Sequence, residues 1–148
     1  MSLALVGRGA SYEFRWLRWV LLRDTVSVLL EDGIIGSKFP RFASIGDALT
    51  VGPVRIPADQ LADEIKAIQT GLTGVALDAL VLAPSTASTL YLGAKVSEPR
   101  RLTASELSQI APPGDAKDLR EYFSSLCDSL AAVCAGPGEN GMVLSIDG

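Results

Sequence analysis

The 148-residue sequence contains no histidine and only two cysteines. Without imidazole, the chain lacks the most common general base, the most common nitrogen ligand of metals and the usual Ser–His and Cys–His catalytic pairs. Two cysteines alone cannot form a tetrahedral zinc site. The sequence therefore predicts no catalytic residue, no metal site and no cofactor.

The two cysteines, Cys127 and Cys134, lie seven residues apart in a predicted helix. An axial rise of about 10 Å separates them, which is too far for a disulfide. Because the sequence shows neither a disulfide framework nor a secretory leader, we predict a reducing, cytoplasmic location. We expect both thiols to pack as small hydrophobic side chains.

The longest apolar stretch, residues 16–30, is interrupted by Arg18, Arg23 and Asp24 and is shorter than a bilayer span. We interpret it as a packed helix and predict no membrane association. The helical spacing of its apolar residues leads us to expect that four charged residues within and beside this stretch reach solvent. They are Arg15, Arg23, Asp24 and Glu31.

The chain is acidic, with a formal net charge of −4. Nucleic-acid-binding proteins generally present a basic face, so we predict no nucleic acid partner and favour a basic protein partner. An apolar fraction of 48% and a mean hydropathy of +0.30 are high for a monomer. A partner, or a second copy in a homodimer, would cover part of such a surface.

The length of the chain predicts one domain over residues 1–148, and hydrophobic periodicity predicts the α+β class. We expect a small mixed β-sheet of about four strands with three main helices packed chiefly on one face. The predicted strands are 2–6, 77–82, 90–96 and 142–146. The predicted helices run from Phe14 to Gly33, from Pro57 to about Gly71, over the short segment 103–111, and from Asp115 to Gly136. After Gly33 we expect Ile34 to fold back on the last turn of the first helix. The predicted buried stripes are Leu61, Ile65, Ile68 and Leu72 on the second helix, and Leu119, Tyr122, Phe123, Leu126, Leu130 and Val133 on the last one.

Two glycine-rich stretches are candidate ligand sites. Residues 136–141 match the dinucleotide fingerprint G-x-G-x-x-G, but a helix precedes them and a strand follows, so we interpret them as a turn. The segment from Gly7 to Ser11 lies between a predicted strand and a predicted helix. An anion at that helix N-terminus is therefore an alternative function.

The stretch GSKFPRF, residues 36–42, raises the question of a binding loop or a structural corner. Pro40 forces Phe39 toward an extended conformation and can open a helical turn. Phe42, Ile45 and Leu49 would form the inner side of that turn. We expect Phe39 to wedge into the core and the flanking cations to stay solvated.

The segment Gly36-Ser37-Lys38-Phe39-Pro40 resembles the G-S-R-F-P motif of the bacterial polymorphic-toxin immunity family catalogued as immunity protein seventy. The later residues 112–115 (P-P-G-D) and 118–123 (D-L-R-E-Y-F) resemble that family's P-P-W-G segment and its D-L-x-x-Y-F helix. Lysine stands at position 38 where the family has arginine, and the tryptophan is missing. The resemblance spans about residues 2–147.

This resemblance implies a cytoplasmic immunity protein that binds a cognate toxin and neutralises it by stoichiometric occlusion. We predict that acidic side chains on the helix after Pro57 mimic phosphates toward a basic toxin, with the cations as rim contacts. The predicted partner-binding residues are Lys38, Phe39, Arg41, Asp59, Asp63 and Glu64. Two alternatives remain open. In the first, the acidic residues are only solvated surface residues of a non-catalytic interaction domain, either monomeric or homodimeric. In the second, the chain binds a small anion.

Overall fold

The computed structural model describes residues 2–74, 81–84, 97–101 and 119–148. The strands are β1 (Ser2–Val6), β2 (Ser11–Arg15), β3 (Val54–Pro57), β4 (Val81–Leu82), β5 (Arg100–Arg101) and β6 (Met142–Asp147). The helices are α1 (Trp16–Leu30), α2 (Pro40–Ser44), α3 (Ala48–Val51), α4 (Ala58–Thr73) and α5 (Leu119–Cys134). Short 3-10 turns cover Ile45–Asp47 and Glu139–Gly141.

Four strands form one sheet in the order β2-β1-β6-β3. Strand β1 pairs with both β2 and β6, β6 also pairs with β3, and every pair is antiparallel. The first and last strands of the chain are therefore the two central ones. The α+β class, the four strands and the three main helices α1, α4 and α5 confirm the predicted fold class, whereas the predicted mixture of strand directions is wrong.

The predicted strands 2–6 and 142–146 are confirmed as β1 and β6. Of the predicted strand 77–82, the described part forms β4, which pairs with β5 in a separate two-stranded sheet. The predicted strand 90–96 and the short helix 103–111 lie outside the described residues. Residues 136–141 form a turn between α5 and β6, as predicted, and Gly141 has a positive φ of 70°.

Two strands of the sheet, β2 and β3, were not predicted. In β2 the aromatic residues Tyr12 and Phe14 alternate with polar ones, which is the period of a strand, but the five residues run directly into α1. Strand β3 has four residues, with Pro53 before it and Pro57 at its end. Proline is tolerated there because β3 is an edge strand.

The inner face of the sheet contributes to a single hydrophobic core shared with the helices. Side chains that alternate along the strands are buried in it, namely Leu3, Leu5, Phe14, Ile56 and Val143. Ser145, also buried on β6, donates a 2.7 Å hydrogen bond from Oγ to the carbonyl oxygen of Ile45. This bond ties the central strand to the turn that follows α2.

Helices α4 and α5 are amphipathic in the predicted way. The predicted stripe of α4 is buried at Leu61, Ile65, Ile68 and Leu72. On α5 the described members of the predicted stripe, Phe123, Leu126, Leu130 and Val133, are likewise buried, as are Cys127 and Cys134. The cysteines are free thiols in the core, which confirms that prediction.

Helix α1 is enclosed on all sides over its middle. Every residue from Trp19 to Ser27 is buried. The chain leaves the helix through Asp32 and Gly33, whose φ angles of 55° and 81° are left-handed, and the Gly33 N–H donates to the Ser27 carbonyl at 2.7 Å. Glycine therefore ends the helix as predicted. Among the described helices, none combines the length and the apolarity that crossing a bilayer requires.

Candidate functional site

The GSKFPRF segment forms a tight corner between α1 and α4. Gly36 has a positive φ of 80°, and the Ser37 N–H donates to the Ile34 carbonyl at 3.2 Å. Pro40 occupies the first position of α2, where its missing N–H costs nothing. Phe42 and Ile45 are buried and Leu49 packs against the core, which confirms the predicted inner side of this turn.

A buried carboxylate at the end of α1 holds the first half of the corner. Glu31 is only 3% exposed, and its Oε2 accepts hydrogen bonds from the backbone N–H groups of Lys38 at 2.9 Å and Phe39 at 3.0 Å. The Ser37 hydroxyl donates to the Glu31 carbonyl at 3.1 Å. Because a carboxylate that accepts two N–H bonds is a strong partner, the loop is fixed at its backbone.

A second carboxylate, on α4, holds the other half. Glu64 accepts hydrogen bonds from the Phe42 N–H through Oε1 at 3.0 Å and from the Arg41 N–H through Oε2 at 3.3 Å. These donors lie in the first turn of α2, which has no intrahelical acceptor for them. Burial raises the pKa of Glu64, and the two backbone hydrogen bonds and the charge of Arg41 offset part of that rise.

The predicted partner-binding residues divide by their surroundings. Phe39 is 8% exposed and belongs to the core, so its expected wedging is confirmed and its ring offers no contact surface. Glu64 is half-buried, and its carboxylate oxygens accept backbone hydrogen bonds from α2. This corrects the expectation that Glu64 faces outward. Lys38, Arg41, Asp59 and Asp63 are exposed.

The fold brings the cationic and acidic candidates together. Arg41 donates from Nε to Gln60 Oε1 at 2.8 Å, so the corner rests on the first two turns of α4. Asp59 and Asp63 lie on those same two turns. We define the corner surface as Lys38, Arg41, Asp59 and Asp63 together with Ile34. These exposed residues carry both signs of charge and lie on the corner and on the first two turns of α4, which the Arg41–Gln60 bond joins.

Ile34 belongs to this surface and was not identified from the sequence. Its side chain is 65% exposed, although its backbone is fixed by an N–H bond to the Glu31 carbonyl at 3.0 Å and by the bond from Ser37. The sequence predicts that Ile34 folds back on the last turn of the helix. The left-handed pair Asp32 and Gly33 turns the chain outward instead.

A buried polar cluster on α1 is the second feature that was not predicted from the sequence. Arg23 binds Asp24 Oδ1 through Nε at 3.0 Å and Nη2 at 2.7 Å, and the guanidinium lies 5.2 Å from the Trp19 ring centroid. Asp24 Oδ2 accepts from the Ala83 N–H at 3.2 Å. Thr25 Oγ1 accepts from the Val81 N–H at 3.3 Å.

This cluster corrects the expectation that Arg23, Asp24 and Glu31 reach solvent, whereas Arg15 is exposed as predicted. The polar residues of α1 bind β4 and the corner instead of water. The available signal was the apolar character of α1 on every side, because a helix without one apolar stripe is usually buried. Polar residues in such a helix need internal partners.

Neither cysteine is an activated thiol, and the described residues form no metal-ligand cluster. Burial raises the pKa of the Cys127 thiol to about 12 and that of the Cys134 thiol to about 11, so both stay protonated near neutral pH. Groups of three or more potential metal ligands are absent from the described ranges. The chemistry of the corner surface is hydrogen bonding and charge pairing.

The Gly7 to Ser11 segment does not have the geometry that the anion hypothesis required. It connects β1 to β2 as a hairpin, and the Gly7 N–H donates to the Ala10 carbonyl at 2.8 Å. No helix begins there because residues 11–15 form a strand. The expectation of an anion at a helix N-terminus in this segment is therefore wrong.

Comparisons with protein-family models, with curated proteins and with solved structures found no match to this chain. The resemblance to the immunity family therefore depends on the two short motifs. The first motif is the corner itself. Of the second, residues 112–118 lie outside the described residues, Leu119 begins α5, and Phe123 is buried in the core.

Proposed function

We propose that this chain is a cytoplasmic immunity protein that binds a cognate toxin through the corner surface and blocks the toxin's active surface. The observation that carries the proposal is the fixation of the corner by two carboxylates. Glu31 and Glu64 together accept four backbone N–H bonds from residues 38–42. Such a loop loses little conformational freedom on binding, which favours affinity.

The exposed side chains on this fixed backbone suit a protein partner. Ile34 supplies an apolar anchor, and tight interfaces depend on a few such anchors surrounded by polar contacts. Asp59 and Asp63 form a like-charge pair four residues apart on α4, which a cation on a partner would relieve. Lys38 and Arg41 provide rim contacts.

The charge of the chain favours a basic toxin, such as a nuclease. The net charge of −4 steers association with a basic partner, and the acidic pair would occupy the place of substrate phosphates. Glu64 is excluded from this phosphate-mimicking role because its oxygens hold α2. The small-anion alternative loses its support with the hairpin at residues 7–11.

The direct test is co-expression with the toxin domain encoded beside this gene, followed by titration calorimetry on the purified pair. Ile34→Asp and the double variant Asp59→Lys/Asp63→Lys should each weaken binding by about tenfold or more and reduce protection of the cells. Val51→Asp is the matched control for Ile34, because Val51 is 76% exposed and lies outside the corner surface.

The proposal fails if cells die at the same rate with and without this protein. The placement of the site fails if protection is complete but neither corner variant weakens binding. A decrease with Val51→Asp equal to that with Ile34→Asp would also contradict it, because the effect would then come from added charge alone.

A further inference from the structure

The turn between α5 and β6 contains the only asparagine of the chain. Asn140 and Gly141 are the two central residues of this turn, with φ angles of 56° and 70°, and the Met142 N–H donates to the Glu139 carbonyl across them. Positive φ at both central positions is the signature of a type I′ turn, for which Asn-Gly is a preferred pair. The backbone therefore accounts for both residues at this place.

The same two residues have the chemistry for an intramolecular cyclisation. The Gly141 nitrogen follows the Asn140 carbonyl carbon directly, so its attack on the side-chain carbon Cγ of Asn140 closes a five-membered ring. Glycine has no Cβ that would crowd the attacking nitrogen. The side-chain amide of asparagine is neutral and accepts a nucleophile, which makes asparagine one of the thermolabile residues of proteins.

The folded turn leaves this reaction accessible. Asn140 and Gly141 are both exposed, and nothing beyond its chain neighbours lies within 4 Å of a Cβ built on Gly141. The Gly141 N–H donates to the Gly138 carbonyl at 3.3 Å, which is longer than an ordinary N–H···O bond. Asn140 has a ψ of 27° and must rotate before the nitrogen reaches Cγ. An exposed turn held by such a bond opens locally at little cost.

The pair Asp32 and Gly33, at the end of α1, provides an internal comparison. Its φ angles of 55° and 81° are also left-handed, and both residues are exposed. The Gly33 N–H, however, is held by the Ser27 carbonyl at 2.7 Å. The charged carboxylate of Asp32 also repels a nucleophile. Exposure and backbone conformation are therefore shared, whereas a weakly held nitrogen and a neutral amide occur together only at Asn140 among these two pairs.

We propose that Asn140 is a site of spontaneous deamidation in the folded protein. The Gly141 nitrogen loses its proton to solvent and bonds to Cγ, the bond from Cγ to Nδ2 breaks, and ammonia leaves. Water then opens the cyclic imide. Breaking the bond from Cγ to the Gly141 nitrogen gives aspartate, and breaking the main-chain carbonyl–nitrogen bond gives isoaspartate. The net reaction consumes one water and releases one ammonia.

Isoaspartate would change the start of a central strand. It routes the main chain through Cβ and Cγ, so the turn gains one backbone atom directly before β6. Met142 pairs there with Pro57 of β3, and the same strand pairs with β1. A longer turn must shift this register or give up the bond between Met142 and Glu139. Aspartate adds only a negative charge. The proposal is independent of toxin binding, because the corner surface is formed by other segments.

Incubation of the folded protein at neutral and at mildly alkaline pH tests the proposal. Ion-exchange chromatography should show a new acidic species, and peptide mass spectrometry should show NH exchanged for O at Asn140. The rate should rise with pH, because the attacking nitrogen must lose its proton. A methyltransferase specific for isoaspartate should label the peptide that contains Asn140 and not the one that contains Asp32.

Asn140→Gly is the matched control, because glycine accepts a φ of 56° without strain. This variant should stay folded by far-UV circular dichroism and should give no acidic species. An equal yield of acidic species from the variant would mean that glutamine is the source, and it would overturn the proposal. So would the absence of an acidic species from the folded wild type, whether or not the urea-unfolded chain deamidates.

The consequence for β6 has a separate test. The isoaspartate form, purified by chromatography, should unfold at a lower urea concentration than Asn140→Asp, which carries the same added charge on an unchanged backbone. Equal midpoints would show that the added backbone atom is absorbed within the turn, and they would overturn the inferred effect on the strand.

Discussion

Helices α1 and α4 have nearly the same length, 15 and 16 residues, but they occupy different environments. Helix α4 buries one stripe and exposes Asp59, Asp63 and Lys66, while Glu64 is half-buried. Helix α1 buries nine consecutive residues, including an arginine and an aspartate. Polar residues in an enclosed helix form internal hydrogen bonds and ion pairs. Similar residues on the exposed side of an amphipathic helix remain available to a partner.

The largest expected effect is at Asp24, compared with Asp63. Asp24→Ala removes the buried carboxylate that binds both the Arg23 guanidinium and the Ala83 N–H. We expect a loss of about 3–5 kcal/mol in the free energy of unfolding. Asp63→Ala should change it by less than about 0.5 kcal/mol. Urea denaturation measures both.

Equal effects of these two substitutions would contradict the comparison between the helices. Asp24→Asn is a useful intermediate, because the amide keeps the size of the side chain and one acceptor for the Ala83 N–H. Its effect should lie between those of the wild type and Asp24→Ala.

Gly46→Ala tests how tightly α1 is enclosed. A Cβ at Gly46 would overlap the Trp19 ring, so the ring or the turn would have to shift. We expect a loss of about 1–3 kcal/mol in the free energy of unfolding. Gly9→Ala is the control, because nothing lies within 4 Å of the added carbon. A neutral Gly46→Ala would mean that Trp19 has room to move.

Removing the carboxylate at the end of the enclosed helix α1 should destabilise the protein more than removing the one on α4. Glu31→Ala leaves two backbone N–H groups without an acceptor and should cost about 1–3 kcal/mol, measured by urea denaturation. Glu64→Ala should cost less, because Glu64 is half-buried and water can replace its bonds. The reverse order would show that α4, not α1, fixes the corner.

The smallest effect is a pH dependence from Glu64. Its pKa in the folded protein is raised above the usual value of 4.5, so the folded state holds this proton more tightly than the unfolded state. The contribution of Glu64 to the free energy of unfolding should therefore fall as pH rises through the window just above 4.5. Glu64→Gln lacks this titration.

Urea denaturation of wild type and Glu64→Gln from about pH 4 to about pH 7 isolates the effect. The stability of wild type minus that of the variant should decrease with rising pH. An increase would mean that the hydrogen bonds from α2 and the charge of Arg41 outweigh burial at this carboxylate.

Local patterns identified the elements with one buried side. The stripes of α4 and α5, β1, β6 and the glycine that ends α1 were all predicted, because period and helix ending are properties of neighbouring residues. The strands β2 and β3 were missed because four or five residues give a weak pattern. The strand order was beyond prediction, since β1 pairs with β6 across nearly the whole chain.

The residues of the candidate site show the same contrast between what local pattern predicts and what tertiary contacts decide. Lys38, Arg41, Asp59 and Asp63 were chosen from the sequence, and their exposure follows from local spacing and charge. Ile34 was missed, and Phe39 and Glu64 were given surface roles that their contacts exclude. Each of these outcomes depends on where a side chain points after the chain has turned.

The sequence by itself determined that this is an acidic α+β chain without imidazole chemistry, with two one-sided helices and a corner at Pro40. The tertiary structure decided that α1 is enclosed and that Glu31 and Glu64 hold the corner. The reason is physical: periodicity reports which side of a segment is apolar, but a buried charge is stable only if distant backbone groups come to meet it.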